Sequence, residues 1–119
     1  MTSCEKTANE TDPVKIIIGK WETIEMGNWP NMEPVEPIGY REFLSDSVLI
    51  EYSYQTQEFK YKKYWIDSLL YECFLLENLS TCTLVRRYSF EFFDNNKKLR
   101  LDYVDIAALF NTFILKRKD

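Results

Sequence analysis

The chain of 119 residues contains no histidine. Imidazole is the commonest metal ligand and the usual general base near neutral pH. Its absence removes Ser-His-Asp and Cys-His catalysis and ordinary zinc sites. No CxxC pair, P-loop or glycine-rich phosphate cradle is present. Carboxylates at spacing three occur in "EFFD" and "DYVD", but residues three apart on a strand point to opposite faces, so neither makes a dyad. An enzyme is not expected, and neither a cofactor nor a metal is implied.

Other absences narrow the class further. No apolar run approaches the length of a membrane-spanning helix; the longest are "III" and "AALF". The 15 basic residues are scattered in a chain of net charge −4, without the stripe that displaces counterions from phosphates, so no nucleic-acid partner is expected. The densest basic groups, "KYKK" (60–63) and the terminal "KRK", read as a solvated strand face and a tail. With three glycines and four prolines among 45% hydrophobic residues, the composition is globular, and the length suffices for one domain with its own core.

What is abundant is aromatic: eight Tyr, eight Phe and three Trp, which favour pleated, half-buried surfaces. Period-two segments recur along the chain. They are "IIGKWETIE", "IGYREFL", "VLIEYSY", "EFKYKKYWI", "LLYECFL", "CTLVRRYSFEFF", "LRLDYV" and "NTFILKR". "SDS" and "DNNKK" supply turns, since Asp and Asn tolerate positive φ. The segment "MGNWPNMEPVEP" reads as a loop whose three prolines forbid regular ladder pairing. "DIAALF" is either a helical turn or a strand ending. No stretch sustains helical periodicity. Eight sequential strands joined by short turns form an antiparallel up-and-down meander, and closure into a barrel removes its edges; a sandwich stays open as the alternative. Residues 1–13 read as a tether and 14–119 as the barrel.

Gly19-Lys20-Trp21 on the first strand resembles the signature of the lipocalins and the wider calycin group, and the chain is most similar to compact lipocalin-like domains of bacterial lipoproteins, as in gut Bacteroidetes. The resemblance implies that Gly19 lets the chain cross the barrel bottom, that Trp21 plugs that closed end, and that Arg117, or alternatively Lys116, packs across the indole. It places function at the opposite end. The helix that follows the last strand in larger secreted lipocalins is missing, so hormone or pheromone carriage is not carried over.

Two expectations concern the cysteines. "TSC" followed by the polar "EKTANETD" resembles the lipobox end of a lipoprotein signal, which implies a lipid anchor at Cys4 and a periplasmic or outer-membrane location; an ordinary free thiol on a frayed terminus is the alternative. Cys73 and Cys82 flank a turn in "FLLENLST", so they either face each other closely enough to bridge or remain two buried thiols.

If Val48, Ile50, Tyr52 and Tyr54 face inward, then Tyr52, Tyr54, Tyr61, Tyr88 and Tyr103 line a cavity, with Arg86 and Glu72 as buried or mouth-proximal charges. Tyrosine suits an amphipathic ligand; the bland reading is that the rings fill the barrel. Trp29 and Met32, with Val35, lie on the long proline-rich connection expected over the open end, as ligand contacts or as a lid. The expected function is a non-enzymatic binding protein of the cell envelope holding a small hydrophobic or amphipathic molecule, touching membrane only through Cys4. A filled-core interaction or inhibitor-like module contacting an envelope protein is the alternative.

Overall fold

The computed structural model describes residues 9–75, 82–105 and 111–118. Cys4, most of "FLLENLST" and most of "DIAALF" lie outside them. Among the described residues the chain forms one short helix, α1 (Pro13–Ile16), and nine strands. These are β1 (Gly19–Asn28), β2 (Asn31–Pro34), β3 (Gly39–Phe43), β4 (Val48–Ser53), β5 (Phe59–Ile66), β6 (Leu70–Leu75), β7 (Cys82–Phe93), β8 (Lys98–Tyr103) and β9 (Thr112–Arg117). Eight of the nine pair in sequence order, all antiparallel, and β1 also pairs with β9, so the sheet closes into an up-and-down barrel. Closure leaves these eight without a free edge except where β1 and β3 part beyond Trp21.

The turns follow side-chain chemistry. Asp94, Asn95 and Asn96 take φ of 55°, 56° and 62° between β7 and β8, and Ser47 takes 69° between β3 and β4. Short polar side chains tolerate this left-handed conformation because they can hydrogen-bond locally.

The proline-rich segment departs from expectation. Asn31–Pro34 pairs with Glu25–Asn28 over four positions, forming β2 as a short hairpin with β1. Three prolines do not prevent this, because β2 is an edge strand: Pro30 sits in the turn, Pro34 ends the strand and Pro37 lies beyond it. Proline is compatible with pairing where its missing N–H would face away from the ladder.

The bottom of the barrel is packed solid. Trp21, Phe43, Leu49, Leu70, Leu99, Leu101 and Leu115 are fully buried there, joined by Tyr64 and Tyr88. Alpha-helix α1 covers this end. Asp12 caps it by accepting from the Val14 amide at 3.0 Å, and Pro13 occupies its first turn, where a missing N–H costs nothing. Ile16 and Ile17 then enter the core. Cys73 and Cys82 are joined by a disulfide, with their Cα atoms 5.5 Å apart. They are not direct register partners: Cys73 faces Val85 and Cys82 faces Leu75, across a bulge.

Candidate functional site

The two ends of the barrel are chemically unlike. At the bottom the Trp21 indole donates to the Ile17 carbonyl at 2.9 Å. The Arg117 guanidinium lies 4.3 Å from the indole centroid and donates to the carbonyls of Ile18 (2.9 Å), Asn96 (3.0 Å) and Ile16. Gly19 makes this possible. Its φ is +129°, and a Cβ there would stand 2.9 Å from Arg117 Nη1.

The other end is open and charged. Strand β1 pairs with β3 only through Gly19–Trp21; farther along, its partner on that side is β2. The divergence leaves a gap in the wall, and a cavity of about 530 Å³ opens there. Trp21 forms part of its floor, Thr23, Arg41, Glu51, Ser53 and Lys60 line it, and Ile38, Tyr40, Thr56 and Glu58 border it. Gly39 brings β3 hard against β4 at this rim, since a Cβ there would fall 1.9 Å from the Tyr52 carbonyl oxygen.

Register explains why charges point inward. Trp21 faces Arg41, Arg41 faces Glu51, and Glu51 faces Lys60 across successive strands. Arg41, Glu51, Lys62 and Glu72 build an ion network inside the barrel. Arg41 Nη1 donates to Glu72 Oε2 at 2.9 Å, Lys62 Nζ donates to Glu51 Oε1 at 2.9 Å, and Arg41 Nε lies 3.6 Å from Glu51 Oε2. Glu72 is only 1% exposed, a position a carboxylate holds only when paired. Burial weighs against the charge on Arg41, but Glu72, Tyr88 and Glu51 outweigh it and hold the guanidinium pKa above its ordinary value. Burial, with Glu72 beside it, also raises the Tyr88 phenol, against the opposing pull of Arg41 and Arg86.

The side chains expected at the site separate into three groups. Glu72, Tyr88 and Tyr103 face the interior, as does Arg86 by register opposite Glu72 at the more exposed end. None of these four borders the cavity. Tyr52, Tyr54 and Tyr61 are on the outer wall, contrary to expectation. Tyr61 is 63% exposed, and Tyr52 packs on Tyr40 and Phe59 with centroids 5.2 and 4.6 Å away. Tyr54 donates to Glu22 at 2.5 Å on that outer face. Tyr52 touches the cavity rim from its strand.

The physical reason is that β4 turns Leu49, Glu51 and Ser53 inward, so its more polar face is the interior one. Likewise "KYKK" is not a solvated face: Lys62 is buried and Lys60 lines the cavity, while Tyr61 and Lys63 point out.

Trp29 and Met32 also stand away from the cavity. The Trp29 ring is stacked under the Arg100 guanidinium at 3.9 Å, and its amide donates to Thr112 Oγ1 at 3.3 Å. Arg100 and Thr112 both donate to Asp102, at 2.7 and 2.8 Å. Trp29 thus clips the β1–β2 hairpin onto the outside of β8 and β9, away from the cavity. Met32 is half-buried within that hairpin, opposite Gly27.

No family model matches the chain, and no curated protein is significantly similar to it. A solved structure is. It is that of an uncharacterized protein from Bacteroides eggerthii DSM 20697, which superposes with a TM-score of 0.61 at 16% identity, over 86% of this chain and 99% of that one. At that identity the likeness is one of fold.

Arg41, Glu51, Lys60 and Lys62 escaped sequence reasoning, although a signal was there. The "SDS" turn sets Phe43 opposite Leu49, which puts Arg41 opposite Glu51 two residues on, a pair of opposite charges on the same face as two apolar residues.

Proposed function

We propose that the chain is a non-enzymatic binding protein of the lipocalin-like kind, holding a small amphipathic molecule at the open end of its barrel. The observation that carries the reading is the contrast between ends. One is sealed by Trp21 under Arg117, and the other opens into a cavity of about 530 Å³ toward which hydroxyls and charged groups converge. That volume lies within the range of small-molecule sites. The chemistry sits in the lining, with Thr23 and Ser53 as hydroxyl partners and Arg41 with Glu51 as charged ones.

The location we propose is the bacterial cell envelope, with a lipid anchor at Cys4. The Cys73–Cys82 disulfide supports this, since such bridges persist in oxidising compartments. Native mass spectrometry of protein purified from its natural host without denaturation tests the binding reading. A discrete mass increment released on denaturation supports it. A barrel that carries nothing, and whose cavity amides respond to no small molecule, contradicts it.

A second reading, an interaction module for another envelope protein, is favoured by the outer wall. Tyr40, Tyr52, Tyr54 and Phe59 form one ring cluster there, with Tyr61 and Trp65 exposed beside it on β5. Cross-linking in intact cells through a photoreactive residue at position 61 separates the two readings. Capture of one defined protein at that wall favours the module.

A further inference from the structure

Resting on the binding reading above, we infer that the cavity selects a short anionic molecule and excludes a long acyl chain, with Arg41 as the anchoring side chain.

Depth decides the first half. Below the ion network the interior is occupied: Phe43, Leu49, Tyr64, Leu70, Leu99 and Leu115 pack against one another under the floor that Trp21 provides. An extended chain entering from the mouth would have to displace either the Arg41–Glu72 pair or that core. Both are costly, because the first strands a buried carboxylate and the second breaks close packing. The opening is mixed: Arg41, Glu51, Ser53 and Lys60 are polar, while Trp21, Ile38 and the rings of Tyr40 and Tyr52 are apolar.

Arg41 decides the second half. With Lys60 it lines the cavity against Glu51 and Glu58, so the two signs balance there among the described residues. The network is also unevenly tight. Glu72 holds Arg41 Nη1 and Lys62 holds Glu51 at 2.9 Å each, but Arg41 Nε and Glu51 are 3.6 Å apart. At that length the Arg41–Glu51 contact is an ion pair without a good hydrogen bond. A guanidinium carries five donors in a planar fork that matches a carboxylate. A ligand carboxylate entering at Ser53 and Lys60 can take the Nε edge while Glu72 keeps Nη1 and Lys62 keeps Glu51. No buried charge is then left alone.

The test is a titration of uniformly 15N-labelled protein, read by amide chemical shifts, with three probes: benzoate, its neutral isostere benzamide, and palmitate. Benzoate is expected to shift the amides of Gly39, Arg41 and Ser53, with benzamide about tenfold weaker, the scale of a charge-assisted hydrogen-bond pair. Palmitate is expected to leave these amides unmoved. Lys60→Gln, an exposed change that leaves the network intact, should weaken benzoate two- to threefold, by about the strength of one partly screened charge. The double change Arg41→Gln with Glu72→Gln removes cation and buried acid together and should abolish the preference for benzoate over benzamide. Equal binding of benzoate and benzamide, or benzoate binding undiminished in the double variant, overturns the assignment of an anion. Palmitate binding at the same amides overturns the exclusion of long chains while leaving the binding reading standing. Silence from all three probes overturns the inference, and, where native mass spectrometry also finds no bound molecule, the binding reading with it.

Discussion

Arg117 and Trp21, ninety-six residues apart in sequence, are direct register partners on β9 and β1, and the guanidinium of one lies 4.3 Å over the ring of the other. The pair closes the barrel twice: their strands join its two ends of sequence, and their side chains seal its floor. Trp21→Ala removes the largest fully buried side chain and should cost about 3–5 kcal/mol of unfolding free energy. Chemical denaturation checks this, and an unchanged midpoint would deny Trp21 its place in the floor.

Gly19→Ala should destabilise by about 1–3 kcal/mol, the cost of a non-glycine residue in a sparsely populated backbone region. Two causes act together: φ of +129°, and the 2.9 Å approach of a new Cβ to Arg117 Nη1. In Arg117→Met the second cause is relieved, so the two changes should be less than additive in a double-mutant cycle.

Glu72→Gln breaks a buried ion pair from one side and should cost about 3 kcal/mol, at the low end for such pairs because Arg41 is partly reachable by solvent. Replacing both, Arg41→Met with Glu72→Leu, should recover most of that loss. Denaturation of the three variants beside wild type gives the coupling. A double variant as unstable as the single would mean that the interior charges do not act as a pair.

Much of this was legible in alternation alone. Eight period-two segments correspond to the eight strands of the closed barrel. What failed was the choice of face on β4 and β5. The rule that apolar residues face inward gave Tyr52, Tyr54 and Tyr61 to the cavity, whereas the upper interior is filled by Arg41, Glu51, Lys62 and Glu72 neutralising one another. A face that satisfies its own charges is indistinguishable, in one strand, from a face bathed in water. The β2 pairing escaped for a different reason: proline forbids a central strand but not an edge.

Tyr54 offers a pH signature of the outer wall. Desolvation, with the hydrogen bond to Glu22, pushes its phenol up to about 12 from an ordinary value of 10.0. Because the folded pKa exceeds the unfolded one, its contribution to stability is complete below pH ~10 and is lost as pH rises through about 12. The phenolate absorbance of wild type minus that of Tyr54→Phe should show one group ionising near the upper value. Glu22→Gln should bring that group down, and a Tyr54 that titrates at its ordinary position would refute the contact.

Removing the bridge with Cys73→Ser and Cys82→Ser should cost about 2–3 kcal/mol, the loop-closure term for so short a ring, with little effect on the bottom of the barrel. Calorimetry of the double variant checks the magnitude. Thiol titration of the denatured, unreduced wild type should find Cys73 and Cys82 unreactive whatever the state of Cys4, and two or more reactive thiols would rule the bridge out.

The most direct test of the central claim is the electron density of a crystal of protein purified from its natural host without unfolding. The account predicts a small molecule between Trp21 and the rim at Ile38, within hydrogen-bond reach of Arg41 and Ser53. A cavity holding only water, with the sole bound partner lying on the Tyr52–Phe59 wall, would contradict it.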